Sequence, residues 1–167
     1  MSNLRIGLGE DSHRTTEGGP LRIGGIDVPH THRLLGHSDA DVLLHAVTDA
    51  LLGAAGLPDI GQLFPNTEEA NRDRDSADML RRAYERVSAA GFALVNVDCV
   101  VAAQRPKLSP HKDAIIRRIA EILGVAADQI NIKAKTGEGA GPVGREELIE
   151  ARCVALLELS APGSARG

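Results

Sequence analysis

The sequence predicts an α+β fold: a single two-layer domain in which a mixed β-sheet is covered by helices and carries a β-hairpin insertion. Three observations lead there. Segments with apolar residues at every second position are interspersed with segments spaced at three and four, in the order strand, hairpin, helix, helix, strand, helix, strand, strand. At 167 residues and 43% apolar, the chain has the material for one proper core. No internal repeat divides it. Residues 1–160 are therefore expected to form the domain, and residues 161–167, which include Pro162, a disordered tail.

Residues 4–13 open the chain as a strand. Leu4, Ile6 and Leu8 fall on one face; Gly7, Gly9, Asp11 and His13 fall on the other. Residues 21–28 read as a hairpin whose Gly24-Gly25 turn supplies positive φ angles. Residues 30–35 follow as a loop. Residues 36–54 form a helix, with Ser38 at the N-cap and Asp41 three residues later, close to a capping box. Val42, Leu43, Ala46, Val47, Ala50, Leu51 and Ala54 give it one buried face, and it ends near Gly53. Residues 56–61 are a turn. The polar stretch 62–74 is a mobile loop, of a length more typical of a lid or binding segment than of a linker.

The second helix spans residues 76–90, with Leu80, Ala83, Tyr84 and Val87 as its apolar stripe and Gly91 as its stop. Residues 94–104 alternate as a strand, with Val95, Val97, Cys99, Val101 and Ala103 on one face. A third helix starts with Ser109 as N-cap and Pro110 at the first helical position; Ile115, Ile116, Ile119, Ala120 and Leu123 are its core stripe and Gly124 ends it. Ile130, Ile132 and Ala134 alternate with polar neighbours in a short strand. Residues 149–159 have good helical propensity, yet their apolar residues keep period two, which makes them a strand.

Composition narrows the function. Charged residues make up 25% of the chain and the net charge is −4. With three aromatic residues (Phe64, Tyr84, Phe92) and no broad basic patch, the chain lacks the platform of a nucleic-acid binder. No apolar run reaches membrane-spanning length and the N-terminus carries no signal peptide, so a cytoplasmic protein without a membrane partner is expected. Cys99 and Cys153 each lie in an apolar segment and read as buried, reduced thiols.

Chemistry gathers on the first strand and the first helix. Asp11 and His13 are strand neighbours at i and i+2, so their side chains run parallel. On the helix, Asp41, His45 and Asp49 are four residues apart and share a stripe. By itself that stripe competes on equal terms with a solvated face bearing a surface histidine. Together, Asp11, His13 and His45 have the composition of a catalytic zinc site: three nitrogen and oxygen ligands with a fourth position open. One carboxylate and two neutral imidazoles leave the site near a charge of +1, suited to an anionic substrate.

Several stretches resemble one family. GLGEDSHR, LRIGGIDVPH, GHSDADVLLHAVTDALLGAAGLPDIGQLFPNTE, DCVVAAQRPKLSPH and KAKTGEGAGPVGRE, in this order, are similar to the 2-C-methyl-D-erythritol 2,4-cyclodiphosphate synthases. The resemblance runs from Ile6 to Leu157 and is most specific from His37 to Phe64. It implies cyclisation of 4-diphosphocytidyl-2-C-methyl-D-erythritol 2-phosphate with release of CMP, in non-mevalonate isoprenoid biosynthesis. The substrate's own 2-phosphate attacks its β-phosphorus, which fits the lack of a serine–histidine triad. It also implies a homotrimer with sites between chains, one zinc ion per chain, and magnesium or manganese with the substrate diphosphate.

Residue by residue, the resemblance makes Asp11, His13 and His45 the zinc ligands, and Asp11 and His13 substrate neighbours as well. His37 and Ser38 are placed for phosphate oxygens, with His37 and Thr136 catalytic. Asp59, Ile60 and Gly61 contact ribose and erythritol, and Phe64, Pro65, Asn66, Thr67 and Glu68 form the substrate loop. Ala103, Gln104, Pro106, Lys107, Leu108 and Ser109 make the cytidine pocket, with Lys135 near the nucleotide. Thr136, Gly137 and Glu138 meet the phosphates, Glu138 holding the second metal ion. Arg145 fits a phosphate contact, and Pro142 the central channel of the trimer. Asn66 and Glu68 stand where the family usually has Asp, Lys135 where it has Thr, and Pro142 where it has Phe; GREEL replaces GR-x-EG.

Two other readings remain at this level. A metal-dependent phosphohydrolase also uses such ligands to activate water, but has no need of the stretch 103–109. A non-enzymatic module binding metal or isoprenoid phosphate has no need of His37, Ser38, Thr136 and Glu138.

Overall fold

The computed structural model describes residues 3–65, 67 and 74–160. Its strands are β1 (Leu4–Glu17), β2 (Leu21–Ile23), β3 (Ile26–Val28), β4 (His32–Leu34), β5 (Phe92–Ala102), β6 (Ile130–Lys135) and β7 (Leu148–Leu159). The helices are α1 (Val42–Ala55), α2 (Ile60–Leu63), α3 (Ser76–Ala89), α4 (Lys112–Leu123) and α5 (Gly141–Gly144). Five strands form a mixed sheet in the order β4-β1-β7-β5-β6, and β2 and β3 form a separate hairpin. Only β5 and β6 pair in parallel. The expected tail, 161–167, lies outside the described residues, as do Asn66 and residues 68–73.

α1 is the central helix. Apart from His45, Asp49, Gly53 and Ala55, every residue in it is buried, so its apolar surface is wider than the single face the spacing predicts. It lies against β1 and β7 on one side and α3 on the other. The approach to β1 is close enough to require glycine. A Cβ on Gly7 would come within 2.0 Å of the Ala50 carbonyl oxygen, and one on Gly9 within 2.0 Å of that of Ala46. The Gly7/Gly9 face of the strand, which as a sequence looks unsuited to a core, is the one that carries the helix.

The exposed face of β1 is the apolar one. Leu4, Ile6 and Leu8 are 48%, 73% and 66% exposed, beside Val154 of β7 at 39%. On β6, Lys133 bonds Asp98 of β5 at 2.5 Å.

Several boundaries differ from the expectation, each for a local reason. α1 begins at Val42 with Asp41, not Ser38, as its N-cap. Asp41 is fully buried, and its carboxylate accepts the N–H groups of Leu44 (3.0 Å), Gly24 (2.9 Å) and Gly25 (2.7 Å). It therefore ties the Gly24-Gly25 turn, at φ 62° and 75°, to the helix start. The helix runs past Gly53 to Gly56, whose left-handed conformation caps it. Residues 32–34 are an edge strand pairing with β1 rather than loop.

Residues 60–63, expected as turn and loop, form α2. In β5 a bulge between Leu94 and Asn96 resets the alternation, so Leu94 rather than Val95 joins Val97, Cys99 and Val101 in the core. Ser109 starts a short 3-10 turn without capping it, and α4 follows from Lys112. Cys99 and Cys153 are buried, free and directly opposed across β5 and β7.

Candidate active site

β1 and α1 bring Asp11, His13 and His45 together. Asp11 Oδ2 lies 2.9 Å from His45 Nδ1 and 3.0 Å from His13 Nε2, and the two nitrogens are 3.2 Å apart. One donor atom from each residue falls within 4.8 Å of the others, the spacing of a cation site. The ring nitrogens that point away are engaged. His13 Nδ1 meets the Leu35 carbonyl at 2.7 Å, and His45 Nε2 meets Ser76 Oγ at 2.8 Å and Ser38 Oγ at 3.3 Å. Burial alone would raise the Asp11 carboxyl, but its bonds to His13 and His45 hold it well below the usual carboxylate range. Burial would lower His13, and Asp11 overcomes this and raises it.

These three residues form one wall of a cleft of about 190 Å³. His37 and Ser38 line it from the loop before α1, outside the helix rather than at its N-cap. His37 Nε2 is buried with no partner among the described residues, an orphaned polar atom in the cleft wall. Ile60, Gly61 and Phe64 line the opposite side. α2 is held there by Asp49, whose Oδ1 accepts the Ile60 N–H at 2.8 Å. Asp49 thus positions α2, and it is Ser76, not Asp49, that bonds His45. Asp59 does not line the cleft; it is exposed and caps α2 through the Gln62 N–H at 2.9 Å. Phe64 is buried beneath the Arg74 guanidinium, 4.8 Å from the ring centroid. Pro65 is half-buried and Thr67 exposed, while Asn66 and Glu68 lie outside the described residues.

Two residues of the site were not singled out from the sequence. Met79 of α3 lines the cleft, and Ser76 reaches His45. Ser76 is the first residue of α3 and Met79 lies about one turn further on. The only signal for them was the apolar repeat, and neither falls on its predicted stripe.

The remaining candidates gather elsewhere. Ala103 is buried and donates its N–H to the Lys135 carbonyl, joining the ends of β5 and β6. Gln104 Oε1 accepts the Gly139 N–H at 3.4 Å, and Leu108 is buried. Pro106 is half-buried, while Lys107, Ser109, Lys135, Thr136, Glu138, Pro142 and Arg145 are exposed. Thr136 Oγ1 accepts the Glu138 N–H at 3.3 Å, Glu138 has φ 49°, and Gly137 packs on the Gly144 backbone. Arg145 pairs with Glu147 at 2.6 Å, and Arg105 with Glu146 at 3.2 Å.

None of this second group lines the cleft. Asp11, Ala151, Val101 and Ala134 form one row across β1, β7, β5 and β6, which sets the groups three strand spacings apart, about 14 Å.

The comparisons with known proteins agree along most of the chain. The YgbB family model matches residues 4–158. A 2-C-methyl-D-erythritol 2,4-cyclodiphosphate synthase from Rhodopirellula baltica is 56% identical over 154 residues, covering 92% of this chain and 93% of that one. One from Bordetella bronchiseptica is 58% identical over 154 residues, covering 92% and 95%.

Among solved structures, a synthase with CDP bound superposes with a TM-score of 0.85 at 42% identity, covering 92% of this chain and 100% of that one. A bifunctional IspDF from Campylobacter jejuni gives 0.90 at 41% identity over 93% of this chain, which spans 42% of that longer protein. The Plasmodium falciparum IspF in complex with CDP gives 0.84 at 34% identity, covering 96% and 99%. The chain belongs to the YgbB family.

Proposed function

We propose that this chain cyclises 4-diphosphocytidyl-2-C-methyl-D-erythritol 2-phosphate to 2-C-methyl-D-erythritol 2,4-cyclodiphosphate with release of CMP, as a zinc-dependent phosphorus–oxygen lyase of the non-mevalonate isoprenoid route. The observation that carries this reading is the Asp11/His13/His45 cluster with its outer nitrogens engaged, set in a cleft beside the unpartnered His37. Family membership and relatives with CDP bound support the nucleotide.

The donor set suits zinc: one carboxylate and two imidazoles converge, and the imidazoles are held from behind. Bound there, the ion would supply Lewis acidity toward a diphosphate oxygen. His37 Nε2 and Ser38 Oγ are available to the phosphate oxygens. Ile60, Gly61 and Phe64 shape the cleft wall for the substrate, Asp59 joins Ile60 and Gly61 in contacting its ribose and erythritol, and Pro65, Asn66, Thr67 and Glu68 belong with Phe64 to the substrate-contacting loop sequence.

A 2-phosphate oxygen attacks the β-phosphorus, the bond from that phosphorus to the bridging oxygen breaks, and CMP leaves with that oxygen. The protein's share is to fold the substrate back on itself and to meet charge on the equatorial oxygens. Thr136, Gly137 and Arg145 contact the phosphates, and Glu138 would hold a magnesium or manganese ion, which would offset the charge of the diphosphate. Ala103, Gln104, Pro106, Lys107, Leu108 and Ser109 receive the cytidine, with Lys135 beside it and Pro142 facing the trimer axis.

One cleft of about 190 Å³ is below the roughly 300–1,000 Å³ of a pocket that encloses a ligand of this size. The nucleotide group of a neighbouring chain completes it. The assembly that the resemblance implies, a homotrimer with sites between chains, is supported by the exposed Leu4, Ile6, Leu8 and Val154, which offer an apolar contact face. The test is CMP release from the diphosphocytidyl substrate with and without chelator. Cyclic diphosphate in step with CMP, abolished by chelator, is expected; free phosphate instead would establish a phosphohydrolase.

A further inference from the structure

We infer that Ser76 and Asp39 are positioning residues that fix which nitrogen of His45 faces the metal site; this rests on the cation reading of Asp11, His13 and His45. Ser76 is the first residue of α3 and is fully buried. The helix does not need its hydroxyl, because Asp75 is the N-cap and accepts the Ala77 N–H at 2.8 Å. A buried hydroxyl is costly unless bonded. This one has two partners: His45 Nε2 at 2.8 Å, and Asp39 Oδ1, to which it donates.

The hydroxyl can donate or accept, so Ser76 alone does not decide the tautomer. Asp39 decides it. An ionised carboxylate has no proton to give, so the one proton of Ser76 Oγ goes to Asp39. Ser76 then offers a lone pair to His45 Nε2 at 2.8 Å, the shorter of that nitrogen's two hydroxyl contacts (Ser38 Oγ stands at 3.3 Å), and Nε2 carries the proton. Nδ1 is left with its lone pair, aimed at Asp11 Oδ2 and His13 Nε2. His13 reaches the equivalent state directly, because the Leu35 carbonyl can only accept from Nδ1.

Asp39 is held for this role. It accepts from the N–H groups of Ser76 (3.1 Å) and Asp41 (3.3 Å) as well as from Ser76 Oγ, and Arg22 Nε lies 3.8 Å away. Every neighbour in this set is a donor. In Asp39→Asn an amide NH₂ must therefore face a donor. Turned toward Ser76 Oγ, it would reverse the relay, place the His45 proton on Nδ1 and close that nitrogen to a cation.

The experiment uses the full-length protein, with zinc affinity from chelator competition and proton NMR of the cobalt(II)-loaded form. Ser76→Ala and Asp39→Asn are expected to raise the zinc dissociation constant by about 10–100-fold. Wild type should show two contact-shifted, solvent-exchangeable imidazole N–H signals, from His13 and His45. In Ser76→Ala the His45 signal should be lost to exchange with water while that of His13 stays, a selectivity that general loosening of the fold does not produce. Two unchanged signals with wild-type zinc affinity would overturn the role of Ser76, as would equal loss of both. Absence of both signals in cobalt-loaded wild type would instead overturn the cation reading itself.

Discussion

Asp11, His13 and His45 stand on a long strand and a core helix, each half-buried and both histidines hydrogen-bonded from behind, whereas Thr136, Glu138 and Arg145 stand on exposed turns beyond β6. The first group is arranged before anything binds. The second has its backbone set, by the Ala103–Lys135 and Gln104–Gly139 bonds, but its functional side chains face outward. The difference is that between a preorganised centre and an exposed surface. The cation group needs rigid support because several ligands must converge on one point. On the proposed function the second group, which would take the nucleotide, needs only to present backbone and a few charges to a substrate that arrives with its own nucleophile.

The contrast breaks most sharply at His45. His45→Ala should lose zinc and more than about 10³-fold in turnover, since it removes both a ligand and the charge stabilisation the ion supplies. Elemental analysis checks the first and CMP release the second; full zinc content in the folded variant would contradict the ligand set. Glu138→Gln should do the reverse, keeping zinc while losing about 10²–10³-fold in rate. Saturating magnesium with near-normal turnover would remove Glu138 from the second metal site.

Gly9→Ala probes the support. Its Cβ would fall 2.0 Å from the Ala46 carbonyl oxygen, one residue beyond His45, so α1 must move away from β1. A stability loss of about 1–3 kcal/mol is expected in denaturant melts, with weaker zinc binding and the nucleotide group untouched. Unaltered stability would mean that the close approach is not what seats His45.

pH gives a smaller effect with two signs. Asp11 is depressed from 3.8 and His13 raised from 6.5. In the metal-free protein the ionised pair therefore stabilises the fold most between those values. That contribution is lost as pH rises through the raised His13 value, or falls through the depressed Asp11 value. Zinc must displace the His13 proton, so zinc affinity should fall with decreasing pH, starting above 6.5. Melting curves with and without chelator across this range should diverge in these directions. Smallest is the effect at the opposed thiols. The bond to Cys99 and burial raise Cys153 well above its usual value, and both thiols are buried, so neither should react with maleimide in the native state.

Much of the cation group was legible because it obeys local periods. Asp11 and His13 are two apart on a strand, and His45 stands on a helix that announces itself. Their supports were not, because they come from contacts far along the chain. Ser38 and Asp41 are both good caps three residues apart, and the choice is made by the amides of Gly24 and Gly25. Asp49 and His45 share a helix stripe, yet His45 bonds Ser76, 31 residues on, while Asp49 bonds Ile60. Three-residue β4 has no room for a pattern, and the bulge in β5 shifts an otherwise clear alternation by one. For residues 103–109 and 135–145, the resemblance carried the assignment rather than any periodicity.

The division of the site between chains is tested most directly by complementation. His45→Ala is defective only in the cation group and Glu138→Gln only in the nucleotide group, and each should be nearly inactive alone. The two are unfolded and refolded together in equal amounts, and mixed trimers are confirmed by mass. If each site joins the cation group of one chain to the nucleotide group of the next, about a quarter of sites receive two intact halves, because the two choices are independent around a ring. CMP release recovering toward a quarter of the wild-type rate is the predicted result. No recovery in verified mixed trimers would contradict it and place each site within a single chain.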